Sequence, residues 1–226
     1  MTTIKILSAG SMLHAMRECA ALASPMSAGT IEIATDHGHN IHDALTRGTA
    51  DADIVLVPAD MATALEVAGL VRTAVALGTV GIGGVVRAGS NAPKIGTMPE
   101  LRKALSDADA VLLTRAPTGN HLMTVITQFG LGDIVAPKLS RFETSTALNI
   151  HLAARNNDAL GFGPETEIRA GKGVAWIGDV PAEIQIALPY AAVVLTNTKA
   201  PDIADAFMRF LATDAARDIF RRSGVH

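Results

Sequence analysis

The sequence has very little cysteine and few aromatic residues, and each shortage excludes a class of site. Cys19 is the only cysteine, so neither an internal disulfide nor a multi-cysteine zinc site can form. Aromatic residues make up 4% of the chain, which argues against stacking on bases or sugars as the main binding mode. The net charge is −3, and the sequence contains no run of like charge. It therefore predicts no nucleic-acid partner.

Long apolar runs and a targeting segment are also missing. No stretch approaches the ~20 uninterrupted apolar residues of a spanning helix, so the sequence predicts no membrane insertion. A strand-like run, residues 4–7, follows Met1 almost directly, without the charged and then apolar pattern of a signal peptide. We therefore expect a cytoplasmic protein, and a periplasmic one if a signal had been trimmed from the sequence.

Short apolar strands alternate with helical patterns along the whole chain. This order predicts an α/β fold with mostly parallel strands. The third strand, residues 53–57, is almost wholly apolar, which is typical of a strand that is buried on both faces. The predicted strands include residues 4–8, 30–34, 53–57, 110–114 and 191–195, and two helices, 201–211 and 214–222, close the chain.

Several helix ends are marked by local signals. Ser11 and Asn40 are the predicted caps of the helices after the first and second strands, and Gly48 is the predicted stop of the second helix. Thr97 and Glu100, three residues apart, predict a capping box. A further helix is predicted after "PTGNH", with one apolar face and a stop at Gly130; this face comprises Leu122, Val125, Ile126 and Phe129.

Five segments occur in the order found in a known family. They are "IKILSAGSM", "RGTADADIVLVPAD", "APTGNHL", "ALGFGPETE" and "AFMRFLATDAARDIFRRSGV". Over nearly its whole length the chain resembles the periplasmic molybdate-binding proteins. The resemblance implies a two-lobe type II periplasmic-binding-protein fold with a two-strand hinge and an interlobe cleft. It places the first lobe at residues 1–81 plus 188–226 and the second lobe at residues 82–187.

The resemblance also implies where a ligand is held. The family binds its oxyanion with serine hydroxyls and with backbone N–H groups at helix N-termini. The first such serine matches Ser11, the place of the second is taken by a histidine-bearing loop, and the family's tyrosine aligns with Pro164, which lacks a hydroxyl. We therefore expect molybdate to bind weakly. The predicted substrate-binding residues are Ser11, Gly38, Asn40, Thr118, Gly119, Asn120, Ser145, Thr146 and Pro164.

Two histidines fall beside these positions and predict acid–base chemistry. His39 takes the place of a ligand-facing serine, and His121 follows "PTGN". Because histidine titrates near neutrality, such groups can move a proton between two carbons of a bound acid. Some proteins similar to this family are isomerases, aconitate isomerase among them. The favoured hypothesis is therefore an enzyme that shifts a double bond in a small unsaturated di- or tricarboxylic acid, with His39 as the first candidate base and His121 as the next.

Other functions remain open on the sequence. The chain could be a solute-binding protein that delivers an oxyanion or a small carboxylate to an ABC transporter, or a ligand sensor without catalysis. The spacing of His37, His39 and His42 could suit zinc, but too few carboxylates accompany them, so we expect no metal and a solvent-facing His37 and His42. The glycines of "GTVGIGG" do not open a helix in the dinucleotide pattern, so the sequence predicts no cofactor.

Overall fold

The computed structural model describes residues 2–23 and 29–226. It divides the chain into two compact units. The first unit consists of Met1–Thr79 and Leu188–His226, and the second unit consists of Val80–Ala187. Each unit has its own five-stranded sheet.

The elements alternate between strand and helix as the sequence pattern predicts. The chain begins with β1 (Thr2–Ala9), α1 (Gly10–Ala23), β2 (Gly29–Asp36), α2 (Gly38–Thr46), β3 (Ile54–Pro58), α3 (Ala59–Val67) and β4 (Val71–Val80). It continues with β5 (Ile82–Arg87), α4 (Met98–Asp107), β6 (Ala110–Thr114), α5 (Pro117–Gln128), α6 (Gly132–Val135), β7 (Leu139–Phe142), α7 (Ser145–Ala153), β8 (Ala159–Pro164), α8 (Glu165–Arg169) and β9 (Val174–Asp179). It closes with β10 (Leu188–Leu195), α9 (Pro201–Leu211) and α10 (Asp214–Arg222).

In the first unit the strand order is β2-β1-β3-β10-β4. Strands β2 and β3 both pair with β1 in parallel, with Ile6 opposite Ile33 and Ile54, whereas β10 runs antiparallel to β3. Residues Ile54–Val57 of β3 are fully buried, as expected for a strand covered on both faces. The helices α1, α2 and α3 begin directly after the parallel strands. Their N-termini therefore follow the carboxyl ends of those strands.

Asp53 joins three segments of the first unit. Its carboxylate accepts hydrogen bonds from the Lys5 N–H (2.9 Å), the Thr198 hydroxyl (2.7 Å) and the Lys199 N–H (2.9 Å). Burial alone would raise the pKa of Asp53, but these hydrogen bonds outweigh it and the pKa is lowered. Asp53 therefore has a structural role in the first unit. In α1, burial raises the pKa of the Cys19 thiol to about 12.

In the second unit the strand order is β7-β6-β8-β5-β9. Strands β7 and β8 pair with β6 in parallel, whereas β5 runs antiparallel to both β8 and β9. All of β6 is buried, because Val111 and Leu113 pack in one core with α5 and Ala110 and Leu112 pack in another with α7. The apolar residues of α4 and α5, such as Leu105 and Leu122, pack in the same core as Val111 and Phe162.

The structure corrects three details of the sequence-based prediction. The sheets are mixed rather than mostly parallel, because β5 and β10, each near a boundary between the units, run antiparallel to their neighbours. Helices α1 and α2 begin at Gly10 and Gly38, so Ser11 and Asn40 lie inside the first turns and are not caps. Phe129 lies beyond α5 and is 43% exposed rather than part of its apolar face. The capping box of Thr97 and Glu100 is confirmed.

Candidate functional site

The carboxyl ends of β6, β7 and β8 lie at one edge of the second unit's sheet, because the three strands are parallel neighbours. Helix α5 follows β6, and helix α7 follows β7. In open α/β sheets, ligands bind at this kind of edge, where helix N-termini supply unpaired N–H groups and the positive end of the helix dipole. No side chain caps α5, so its first N–H groups have no side-chain acceptor.

Three buried hydroxyls lie at this edge, and we call them the hydroxyl cluster: Thr114, Thr118 and Ser145. They stand at the end of β6, in the first turn of α5 and at the start of α7. Their exposed fractions are 0%, 2% and 2%. None of the three oxygens has a hydrogen-bond partner within the described residues. An unpaired buried hydroxyl costs about 1–3 kcal/mol, so a group that accepts hydrogen bonds from this cluster would recover that cost.

Two glycines bring the members of the hydroxyl cluster together. A Cβ on Gly119 would lie 2.1 Å from the Thr114 carbonyl oxygen and 2.8 Å from the Thr114 hydroxyl. A Cβ on Gly163 would lie 3.4 Å from the Ser145 hydroxyl and 3.9 Å from Cγ2 of Thr114. The first turn of α5 therefore packs directly on the end of β6, and Ser145 approaches Thr114 across Gly163. Only glycine permits the contact at position 119.

Arg141 of β7 braces the start of α5. Its Nε and Nη2 groups donate to the Thr114 carbonyl oxygen at 3.2 and 2.7 Å, and Nη2 also donates to Oδ1 of Asn120. The Asn120 amide in turn donates to the Arg115 carbonyl oxygen at 3.0 Å. Asn120, which the sequence predicts to bind substrate, therefore ties the first turn of α5 to β7 and to the end of β6.

His121 is held in one orientation. Its Nε2 lies 3.2 Å from the Ile184 carbonyl oxygen, and because a carbonyl can only accept, Nε2 carries the proton. In the neutral ring this leaves Nδ1 as the nitrogen that can accept a proton. The side chain is half-buried and stands three residues after Thr118, which places the two residues on one face of α5.

The remaining predicted residues of the second unit differ in exposure. Ser145 and Thr146 follow Thr144, whose hydroxyl caps α7 by accepting a hydrogen bond from the Ala147 N–H at 3.0 Å. Thr146 is exposed in the first turn of α7, whereas Pro164 is buried at the end of β8. Pro164 pairs with Ile82 in the sheet and offers neither a hydroxyl nor an N–H. It therefore shapes the edge without donating to a ligand.

The first unit has a comparable edge at the starts of α1 and α2. Ser11 is buried in the first turn of α1. Before α2, Asp36 accepts from the His37 N–H and from the Asn40 amide, each at 2.7 Å. These two hydrogen bonds, first that from Asn40, lower the pKa of Asp36. The Asn40 amide is thus already hydrogen-bonded to Asp36. Gly38 has open space around it, since a Cβ there would meet nothing within 4 Å.

The three histidines of the α2 segment are all exposed. The rings of His37 and His39 stack, with centroids 5.7 Å apart and planes 9° apart, while Nδ1 of His42 lies 3.5 Å from Asp43. In residues 2–23 and 29–226, no group of three or more His, Cys, Asp or Glu side chains is arranged to hold a metal ion.

Two further histidines, His14 and His151, have local partners. His14 lies on α1, where its Nε2 is 3.2 Å from Glu18. His151 lies on α7, packs against the ring of Phe142 and lies 3.0 Å from Nη1 of Arg155. Neither residue belongs to the hydroxyl cluster or to the start of α2.

Sequence reasoning missed Thr114 and Arg141. Thr114 did carry a signal, since it is the one polar residue at the carboxyl end of an otherwise apolar strand. Arg141 carried none, because its approach to the Thr114 carbonyl depends on the pairing register of β6 and β7, in which Leu113 lies opposite Arg141.

The chain belongs to a family described as bacterial extracellular solute-binding protein, whose model matches residues 4–226. A curated aconitate isomerase from Pseudomonas sp. is 25% identical over 234 residues, which covers 99% of this chain and 87% of the relative. Within the described residues, no helix is both long and apolar enough to cross a membrane.

Solved structures share the fold. The periplasmic molybdate-binding protein of Azotobacter vinelandii is 16% identical, with a TM-score of 0.79 over 99% of this chain and 98% of that chain. The substrate-binding domain of a putative molybdenum ABC transporter from Clostridium difficile is 18% identical, with a TM-score of 0.75 over 98% of this chain and 97% of that chain. The predicted periplasmic-binding-protein fold is confirmed.

Proposed function

We propose that this protein is an isomerase that shifts a double bond in a small unsaturated di- or tricarboxylic acid by allylic proton transfer. The observation that carries the proposal is the hydroxyl cluster of Thr114, Thr118 and Ser145, together with the oriented ring of His121, which follows Thr118 by three residues on α5. The aconitate isomerase relative supports the same chemistry.

The hydroxyl cluster suits a carboxylate. Each hydroxyl can donate one hydrogen bond, and the uncapped start of α5 adds backbone N–H groups and a favourable dipole. A carboxylate accepts several such bonds at once. Removal of a proton next to that carboxylate spreads negative charge onto its oxygens, and donors that are already in place stabilise that charge without reorganising.

His121 supplies the proton transfer. Nδ1 takes the proton from the allylic carbon, so that the C–H bond breaks and an N–H bond forms while the electron pair delocalises over the double bond and the carboxylate. The same N–H then returns the proton to the far carbon of the allylic system. The hydrogen bond from Nε2 to the Ile184 carbonyl steadies the imidazolium that forms between the two steps. The sequence analysis predicts His39 as the base instead, and the variants described below compare the two histidines.

Turnover of aconitate tests the proposal. Purified protein incubated with cis- or trans-aconitate should interconvert the isomers, followed by ultraviolet absorbance or chromatography. His121→Gln should lower kcat by about 10²–10⁴-fold while the affinity for the acid stays within about tenfold. His151→Gln, which replaces a histidine of the same unit outside the cluster, is the matched control and should keep wild-type kcat.

The outcome for His39→Gln separates two assignments of the base. If His39→Gln loses activity and His121→Gln keeps it, the sequence-based assignment holds and the role proposed for His121 is wrong. If neither variant is impaired, the base is another group.

A second candidate function is a solute-binding protein for an oxyanion or a small carboxylate that serves an ABC transporter. Membership of the extracellular solute-binding family and the fold of the molybdate-binding proteins favour it. Titration calorimetry distinguishes the two functions. Molybdate binding with a Kd near or below ~1 μM, together with no turnover of any unsaturated acid, would establish the second function, whereas turnover with weak molybdate binding would establish the first.

A further inference from the structure

Arg141, beside the hydroxyl cluster, is a cation that forms no direct ion pair with the described residues. Its side chain is half-buried. The nearby carboxylate of Glu143 is instead paired with Nε of Arg115 at 2.8 Å. Burial first, and the positive charge of Arg115 second, lower the pKa of Arg141, and the negative charge of Glu143, which raises that pKa, does not offset them. The fold therefore leaves a half-buried positive charge only partly compensated, and an anion that bound there would stabilise it.

The guanidinium is also placed and oriented. Nε and Nη2 donate to the Thr114 carbonyl, and Nη2 also donates to Asn120, so that among the described residues the hydrogen bonds of the guanidinium come from these two nitrogens and not from Nη1. The oxygen that holds Arg141 belongs to Thr114, whose hydroxyl is part of the cluster. An anion that accepts hydrogen bonds from that hydroxyl and from the start of α5 would therefore lie close to the Arg141 guanidinium, which could also donate to it.

We propose that Arg141 binds a second carboxylate of the substrate and makes the site selective for acids that carry two or more carboxylates. This inference rests on the proposed function, since it assumes that the hydroxyl cluster holds a first carboxylate. One carboxylate then lies on neutral donors beside His121, where charge develops during proton transfer. The other lies on the guanidinium and fixes the orientation of the carbon chain between them.

Fumarate and crotonate test this assignment because they share a carbon skeleton, with one carboxylate of fumarate replaced by a methyl group in crotonate. Calorimetric titration of both acids against the wild type and Arg141→Gln should show that the substitution weakens fumarate by about 10- to 100-fold, the value of one charge-assisted hydrogen bond. Crotonate should weaken by no more than about threefold. Trans-aconitate should follow fumarate.

Arg115→Gln is the matched control. It removes the same charge from a neighbouring arginine that is exposed and already paired with Glu143, so it should leave the ratio of the two affinities unchanged. Arg141→Lys keeps the charge and loses the planar fork, and it should weaken fumarate by about tenfold with little effect on crotonate. This second variant carries the test if Arg141→Gln fails to fold, as judged by circular dichroism.

Equal weakening of fumarate and crotonate by the Arg141 substitutions would overturn the inference, because Arg141 would then only brace the start of α5. Failure of the proposed function is seen separately and needs no variant. It would appear as no turnover of trans-aconitate by the wild type, whereas a wild type that binds neither fumarate nor trans-aconitate would overturn the inference as well.

Discussion

Gly119 packs its Cα against the last residue of β6 so closely that any side chain would collide with backbone. The Cβ of an alanine at this position would lie 2.1 Å from the Thr114 carbonyl oxygen, which also receives the Arg141 guanidinium. Gly38, at the start of α2, has no comparable constraint, because a Cβ there meets nothing within 4 Å. The family resemblance predicts both glycines as substrate-binding residues. The structure shows a packing requirement for glycine at position 119 and none at position 38.

We therefore predict opposite results for Gly119→Ala and Gly38→Ala. The first should lower the free energy of unfolding by about 1–3 kcal/mol, as overpacking does, and should weaken carboxylate binding by displacing the hydroxyl cluster. The second should be neutral or stabilising by up to about 1 kcal/mol, since alanine is a better helix former. Urea unfolding and calorimetry measure both effects. A Gly119→Ala variant with wild-type stability and binding would contradict the described contact.

At the scale of elements, the packing between segments of the first unit depends on Asp53. Its carboxylate links β1, the start of β3 and the segment after β10 through three hydrogen bonds. The pKa of Asp53 is lowered in the folded protein, so the bonds stabilise the fold above the unfolded pKa of about 3.9. That contribution is lost as the pH falls through the lower, folded pKa.

Asp53→Asn should therefore destabilise the protein by about 1–3 kcal/mol at pH 7, and the difference from the wild type should shrink as the pH falls below about 4. Thermal unfolding followed across pH 3–7 gives this comparison. The exposed Asp51, which pairs with Lys5, offers the control, because Asp51→Asn should change Tm little. A constant difference between wild type and Asp53→Asn down to pH 3 would contradict the assignment.

Local chemistry explains which elements the sequence could predict. The capping box of Thr97 and Glu100 is complete within four residues, so the start of α4 was predictable. The start of α2 was not, because Asp36, one turn upstream, binds the Asn40 amide and moves the helix start to Gly38. Strand direction depends on pairing between distant segments, which is why the antiparallel β5 and β10 escaped prediction.

The candidate site divides in the same way. Thr118 and Ser145 could be predicted because their positions match a family motif and their surroundings are local helix starts. Thr114 carried a signal as the polar end of an apolar strand, but its contact with Arg141 could not be predicted, because the two residues meet only through the register of β6 and β7. The hydrogen bond of His121 to the Ile184 carbonyl spans 63 residues and was likewise invisible to local patterns.

At the scale of the whole molecule, each unit repeats one arrangement. Parallel strands end at a common edge, and helices begin there, with Ser11 and the α2 segment in the first unit and the hydroxyl cluster in the second. The fold serves solute binding in the family to which the chain belongs, and a relative is an isomerase. Because one fold supports both functions, the distinction must come from the chemistry of the site, in particular from whether a bound acid exchanges protons.

Proton exchange in deuterium oxide tests that distinction most directly. Trans-aconitate incubated with the wild-type protein should lose the proton NMR signal of its allylic methylene as the cis isomer forms, and His121→Gln should slow both processes by about 10²–10⁴-fold. Saturable binding of the acid by the wild type, with no cis isomer formed and no deuterium entering the carbon skeleton, would contradict the account and leave a protein that holds its ligand without converting it.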